Sequence, residues 1–155
     1  MLLPISARTL VSQTIALKKI AFRTVASVFS ALLFLCAALQ YNDVDPELWV
    51  LIYGVSASVP LLIVVRRYSV RLFWLSLGLC VAGLAVSAQG AITYFSSYVS
   101  SESLVQDMSP TKPYIEETRE FLGALIAIAI LIASRYLRSL VIADTESTLS
   151  APVSK

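Results

Sequence analysis

Four long apolar runs alternate with short polar segments along this chain. The runs are continuously apolar and do not alternate with polar residues, which excludes the strands of a membrane barrel. In lipid, backbone hydrogen bonds must close within one segment, so such runs form helices. A helix needs about 20 residues to cross a hydrocarbon core of about 30 Å. The pattern therefore predicts four membrane-spanning helices, at about residues 23–41, 46–65, 71–96 and 114–138.

The polar segments between the runs predict how the helices are connected. Residues 42–47 form a tight turn, and Pro46 suits the first position of the second helix because no hydrogen bond is lost with its missing N–H there. Residues 66–71 form a second short loop, and residues 96–114 form a longer one. Short loops make consecutive helices antiparallel neighbours. We therefore expect an all-α, up-down-up-down four-helix bundle.

The composition places this bundle in a membrane. Of the 155 residues, 57% are hydrophobic and 14% are charged, and the mean hydropathy is +0.79. A soluble domain carries about 25% charged residues, so this chain has too little charge for a water-exposed surface. We expect one transmembrane domain at residues 23–140, between a basic N-terminal segment at 1–22 and a disordered polar tail at 141–155.

The distribution of charge predicts the orientation of the bundle. Basic residues concentrate in the N-terminal segment, the second loop and the C-terminal flank, whereas acidic residues concentrate in the first and third loops. Lysine and arginine mark the cytoplasmic side of a membrane protein, so both termini are predicted to be cytoplasmic. A bacterial inner membrane is the expected location. The alternative is a eukaryotic organellar membrane, with residues 1–22 as a transit peptide.

Several kinds of chemistry are missing from the sequence. The chain contains no histidine, which removes imidazole haem ligation, histidine-rich metal sites and histidine general bases. Cys36 and Cys80 lie in apolar runs and form no C-x-x-C pair. There is also no Gly-rich phosphate loop, no nucleophile elbow and no basic aromatic patch. We expect no catalytic residue and no nucleic-acid partner.

Acidic side chains cluster at two places that the predicted topology brings to the same, non-cytoplasmic membrane face. One is the first hairpin, and the other is the start of the fourth helix, where two glutamates four residues apart share a face with Gly123 and Ala127. Oxygen ligands suit a hard cation such as Ca²⁺, Mg²⁺ or Mn²⁺. The candidate polar or cation site consists of Asn42, Asp43, Asp45, Glu116 and Glu120.

Five further residues are candidates to support this site. Trp49 and Tyr53 either anchor the second helix among the lipid headgroups or form a wall of a small polar site. Glu117 and Arg119 are expected to point away from the inward face of the fourth helix. Arg119 can still reach Glu116 around one helical turn. Glutamines in spans usually hydrogen-bond another helix. The supporting set is Gln40, Trp49, Tyr53, Gln89 and Arg119.

Three interpretations of the acids stay open. Asp45 can cap the second helix, Asn42 and Asp43 can form the turn, and the first-turn glutamates can face water, where the helix dipole favours them. A second interpretation is a structural polar lock between the first loop and the fourth helix. A third is a cation or substrate site. No cofactor is expected, with a hard divalent cation as the alternative.

Small residues on the third helix predict close helix packing. Gly78, Gly83, Ser87 and Gly90 carry little or no side chain, and Gly83 and Ser87 form a small-xxx-small pair. Small residues let neighbouring helix backbones approach each other closely in membranes. Packing inside the bundle is the expected use, and dimerisation is the alternative.

The first hairpin resembles a family signature. The segment from Gln40 to Trp49 reads Gln-Tyr-Asn-Asp-Val-Asp-Pro-Glu-Leu-Trp, and Tyr53 follows it. It is similar to the hairpin of the transmembrane protein 220 family, which reads Gln-x-Asn-Asp-Pro-Asp and then carries a tryptophan and a tyrosine. Val44 stands in place of the usual proline, which loosens the turn and leaves the acids unchanged.

A second motif strengthens the resemblance. Residues 116–120 read Glu-Glu-Thr-Arg-Glu and are followed by Gly123, which resembles the Glu-Glu-x-Arg-Glu motif that opens the last conserved helix of the same family. The resemblance covers about residues 24–137. It implies a small multi-span membrane protein without an assigned activity. The pairing of the two motifs favours a structural lock.

Three classes of function remain for this chain. The expected one is a non-enzymatic membrane protein that acts as a scaffold, an assembly subunit or a small-ligand-binding module. The acids suggest a divalent-cation or proton-coupled transport component as the first alternative, although no ionisable group lies in the middle of a predicted span. A metal-dependent membrane enzyme is the second alternative. The expected partners are the lipid bilayer and either a second copy of the chain or a membrane complex.

Overall fold

The protein is described by a computed structural model that covers residues 5–40, 45–106 and 109–149, with side chains described for 13–40, 45–106 and 109–139. This part of the chain is helical and contains no strand. A π-helical turn, Tyr94–Tyr98, extends the third helix. The helices are α1 (Ile5–Leu39), α2 (Pro46–Val64), α3 (Val70–Thr93) and α4 (Pro113–Leu149).

All four helices contain a segment that is long and apolar enough to cross a membrane, which confirms the predicted number of spans. These segments are Gln13–Leu39, Pro46–Val64, Val70–Tyr98 and Pro113–Ser139. The second begins at the predicted proline, because the first helical turn needs no hydrogen bond from the N–H that Pro46 lacks.

Two helices extend beyond their predicted spans. Helix α1 begins at Ile5, so most of the predicted N-terminal segment continues the first helix. Helix α4 continues to Leu149, past residue 141 where the sequence predicts the tail to begin. No glycine or proline interrupts the chain between Gly123 and Pro152, so nothing local stops this helix. Asn42 and Asp43, in the predicted first turn, lie outside the described residues.

Different local interactions begin α2 and α3 and end α2. The backbone carbonyl of Asp45 accepts a hydrogen bond from the Leu48 N–H at 3.3 Å, but the Asp45 side chain makes no capping bond. Asp45 therefore occupies the N-cap position, as one of the three interpretations requires, but its side chain does not cap the helix. Ser69 instead caps α3, accepting a hydrogen bond from the Leu72 N–H at 3.3 Å. At the end of α2, Arg66 adopts a left-handed conformation with φ 62°, the usual way for a helix to terminate.

Serine side chains connect the helices inside the bundle. Ser30 of α1 donates a hydrogen bond to the Ala57 carbonyl of α2 at 3.0 Å. Ser76 of α3 donates one to the Val55 carbonyl at 3.3 Å. The Ser56 hydroxyl and the Cys80 thiol lie 3.3 Å apart. Small polar side chains can hydrogen-bond across helices where larger ones would keep the backbones apart.

The core lies between the helices, and large apolar side chains also cover the outside. Leu33, Trp49, Ile52 and Leu131 are at most 1% exposed. Many other large apolar residues, such as Leu75 and Ile132, are more than half exposed. An apolar outer surface of this extent is what lipid tails require and what water disfavours.

Candidate functional site

The start of α4 is attached to α3 by a polar contact inside the bundle. The Ser87 hydroxyl donates a hydrogen bond to the Glu120 Oε2 atom at 3.0 Å. Ser87 is fully buried and Glu120 is half-buried. A buried hydroxyl without a partner is costly, so the carboxyl oxygen stabilises Ser87 in the interior. The predicted site residue Glu120 is thus bound to α3.

A second carboxylate lies against α3 one helical turn away. A Cβ atom added at Gly90 would collide with both the Cβ atom and the carboxyl group of Glu117. Gly90 therefore makes the room that Glu117 occupies. The expectation that Glu117 points away from the inward face is wrong, because the inward face of α4 is wider than a stripe of positions four residues apart.

The two contacts form one register between antiparallel helices. Ser87 and Gly90 are three residues apart on α3, and Glu117 and Glu120 are three residues apart on α4. Ser87 contacts the later glutamate and Gly90 the earlier one. Residues three apart share a helix face, so each helix presents one continuous surface to the other. We call these four residues the carboxylate–glycine contact.

Arg119 attaches the loop before α4 to the helix. Its Nε atom donates a hydrogen bond to the Leu104 carbonyl at 2.7 Å, and a second guanidinium nitrogen donates to the Gln106 carbonyl. A guanidinium offers several donors in a rigid plane, which suits two neighbouring carbonyls. Arg119 therefore holds the third loop over the end of the bundle.

The same loop contains an ion pair. The Lys112 ammonium group lies 2.6 Å from the Glu102 Oε2 atom. The Tyr94 hydroxyl donates a hydrogen bond to the Glu102 backbone carbonyl at 2.8 Å. The rings of Tyr98 and Tyr114 stack with their centroids 4.3 Å apart. These contacts tie the end of α3 to the beginning of α4.

The ion pair shifts the pKa values of both Glu102 and Lys112. The hydrogen bond from Lys112, and then that from Gln106, lower the pKa of Glu102 below its ordinary value of 4.5. The hydrogen bond to Glu102 raises the pKa of Lys112 above its ordinary value of 10.5. The Glu102 contribution to loop stability is therefore present above pH 4.5 and is lost as the pH falls through the lowered pKa. The Lys112 contribution is present below pH 10.5 and is lost as the pH rises through the raised pKa.

We expect the third loop to open at low pH while the helices stay folded. Protonation of Glu102 removes the charge that holds Lys112, and the loop then loses the contact between residues 102 and 112. The measurement is hydrogen exchange at the Ser101 and Lys112 amides, which donate to Tyr98 and Ser109 in the folded loop, corrected for intrinsic pH effects. Glu102→Gln is the control and should show no acid-dependent change. Equal acid dependence in the variant would contradict this assignment.

Trp49 and Tyr53 lie inside the bundle, close to the carboxylate–glycine contact. Trp49 is 0% exposed and Tyr53 is 3% exposed. The Trp49 ring packs over Gly83 of α3, and the Tyr53 hydroxyl lies over Gly123 of α4. The interpretation of these two residues as headgroup anchors is therefore wrong, since anchors must reach the headgroups. Within the described residues, the buried Trp49 Nε1 atom has no hydrogen-bond partner.

The other predicted site residues that the structure describes differ in exposure. Asp45 is exposed at the start of α2, and Gln89 is exposed on α3. Gln40 and Glu116 are half-buried. In the described part of the chain, no three Asp, Glu, Cys or His residues form a group that could hold a metal ion. Asn42 and Asp43 fall outside that part, so the proximity of the first hairpin to α4 stays a prediction.

Three of the four predicted packing positions on α3 lie at contacts with other helices. Gly83, Ser87 and Gly90 are buried and contact other helices. Gly78 is exposed, and an added Cβ atom there would meet nothing within 4 Å, so its prediction as a packing position inside the bundle is wrong. Neither the hydrogen bond from Ser87 to Glu120 nor the contact of Glu117 with Gly90 was predicted from the sequence. The matching three-residue spacings on α3 and α4 were the available signal.

Four helices of membrane-spanning length define a multi-pass, all-helical integral membrane protein. The sequence model of the family described as "Transmembrane family 220, helix" matches residues 32–136. This is more than half of the chain, and the protein belongs to that family. It also confirms the resemblance seen in the two motifs. Searches among curated proteins and among solved structures found no match.

Proposed function

We propose that this protein is a non-enzymatic structural or scaffold protein of the membrane, whose 116–120 motif is a polar lock. The observation that supports this best is the binding of Glu120 to Ser87 together with the seating of Glu117 on Gly90. Arg119 adds the third loop to the same unit. Each of these three motif residues contacts another element, as a structural role requires. The lock extends, in this proposal, to the acids of the first hairpin.

The proposed topology is up-down-up-down, with both termini in the cytoplasm. Cross-helix contacts support the alternation: Arg23, in the middle of α1, donates a hydrogen bond to the Val64 carbonyl at the end of α2, at 2.7 Å. Arg135, near the end of the span Pro113–Ser139, lies over the Phe73 ring at the start of α3. The basic residues at this end favour the cytoplasmic side. A bacterial inner membrane is the proposed location, and a second copy of the chain or a membrane complex is the proposed partner.

Divalent-cation titration tests the structural role. In the purified protein, Ca²⁺ or Mg²⁺ should produce no saturable rise in the unfolding midpoint. Glu120→Gln should unfold at about the wild-type midpoint, because the amide oxygen still accepts the Ser87 hydrogen bond. A saturable rise in the wild type that disappears in Glu120→Gln would identify a cation site and contradict the lock.

A proton- or cation-coupled transport component is the second candidate. It is favoured by Glu117 and Glu120, which are half-buried inside the span Pro113–Ser139. Ionisable residues at such positions commonly mark ion and proton pathways. Reconstituted vesicles distinguish the two functions: transport predicts proton or cation flux that Glu120→Gln abolishes, whereas the lock predicts no flux in either protein.

A further inference from the structure

We infer that the end of the bundle opposite the carboxylate–glycine contact binds an anionic phospholipid headgroup. The site would be formed by the arginines of the α2–α3 connection, the first turn of α3 and the end of the fourth span. This inference is independent of the polar lock. We call the set Arg66, Arg67, Arg71, Arg135 and Arg138 the arginine cluster.

Aromatic rings hold two members of the arginine cluster in place. The guanidinium carbon of Arg138 lies 4.2 Å from the centroid of the Tyr68 ring. That of Arg135 lies 4.9 Å from the Phe73 ring and 5.7 Å from the Trp74 ring. A cation–π contact restrains the guanidinium, and the N–H groups can still donate hydrogen bonds in the plane of the guanidinium. These two guanidiniums are thus positioned before any ligand arrives.

The arginine cluster lacks carboxylate partners among the described side chains. Glu102 is paired with Lys112 at the other end of the bundle. Arg66, Arg67 and Arg71 are exposed. Several like charges at one end repel one another unless an anion compensates them. The positive charge of the arginine cluster is therefore available to bind a ligand with several negatively charged oxygens.

An unpartnered hydroxyl lies within the same cluster. The Tyr68 hydroxyl oxygen is buried and has no hydrogen-bond partner in the described residues. Its ring carries the Arg138 guanidinium, so an anion bound by Arg138 would approach the tyrosine. A phosphate oxygen can accept from both a hydroxyl and a guanidinium. This donor is a second feature that points to an anionic ligand.

The location favours a lipid over a dissolved anion. Trp74, beneath Arg135, is 57% exposed, and the neighbouring Leu75 is 56% exposed. These apolar surfaces belong to the span Val70–Tyr98, so in a membrane we expect them to contact acyl chains. A ligand at Arg135 would therefore have phosphate beside the guanidinium and hydrocarbon beside Trp74. A phospholipid has this arrangement, and basic pockets between membrane helices are known to suit such headgroups.

Native mass spectrometry of the detergent-purified full-length protein tests the inference. The protein is titrated with phosphatidylglycerol, with phosphatidylcholine and with inorganic phosphate. We expect phosphatidylglycerol to bind most tightly, and Arg138→Gln to weaken it about fivefold, the usual effect of one basic residue near an anionic membrane surface. Lys112→Gln removes one positive charge at the opposite end and should leave the affinity unchanged.

Two further variants keep the test decisive if Arg138→Gln folds poorly. Arg71 is exposed, so Arg71→Gln should fold normally and also weaken phosphatidylglycerol binding severalfold. Tyr68→Phe should weaken it as well, because only the unpartnered hydroxyl is removed. Equal binding of the two lipids, unchanged binding in Arg71→Gln, or the same loss in Lys112→Gln would overturn the inference. Inorganic phosphate binding as tightly as the lipid would identify a free-anion site instead.

Discussion

Trp49→Ala is expected to destabilise the protein by about 3–5 kcal/mol, the usual cost of removing a large buried aromatic side chain. Trp49 is 0% exposed, and its ring fills the space over Gly83 between α2 and α3. Alanine would leave a cavity that these two helices cannot close without moving. The measurement is reversible unfolding of the purified protein in mixed detergent micelles, followed by helical circular dichroism.

The chain contains a matched control for this substitution. Trp74 is its other tryptophan and is 57% exposed on the outer face of α3. Trp74→Ala should cost far less, because detergent or lipid already contacts that ring. Similar losses for the two alanine variants would show that Trp49 faces the headgroups, as the rejected anchor interpretation requires. Trp49→Phe should cost less than Trp49→Ala, because much of the ring volume remains.

Gly90→Ala is expected to destabilise the protein by about 1–3 kcal/mol, in the range of overpacked cores. The added methyl group would collide with the Glu117 Cβ atom as well as with its carboxyl group. A Cβ atom cannot rotate away, so the α3 and α4 backbones must separate. That separation also weakens the hydrogen bond between Ser87 and Glu120. The measurement is the same unfolding assay.

Gly78→Ala is the matched control for Gly90→Ala. Both positions are in α3, but an added Cβ atom at Gly78 meets nothing within 4 Å. Alanine is the better helix former, so this variant should be as stable as the wild type or slightly more so. If Gly90→Ala were equally harmless, α3 and α4 would not be closely packed at the carboxylate–glycine contact.

The spans could be predicted from the sequence because lipid imposes a strict length and an apolar composition on each helix. The start of α2 followed from Pro46. Trp49 illustrates the limit of this reasoning. A tryptophan near the end of a span can face the headgroups or the core, and only the absence of a side chain at Gly83 decides between them.

The site was harder to predict because its contacts join residues from different helices. Spacing along α4 placed Glu116 and Glu120 on one face, but it could not show which helix lies opposite. The rotation of α4 against α3 places Glu117 on Gly90, and this rotation depends on packing throughout the bundle. The bonds from Arg119 to the third loop depend on a backbone path that composition does not specify.

The most direct test of the polar lock is a double-mutant cycle between Ser87 and Glu120. The free energy of unfolding is measured for the wild type, Ser87→Ala, Glu120→Leu and the double variant. Hydrogen bonds between membrane helices contribute about 0.6 kcal/mol on average and up to about 1.7. The lock predicts a favourable coupling free energy within that range, since each single variant removes the same bond. A coupling of zero within error would show that this contact does not hold α3 to α4, and would contradict the account.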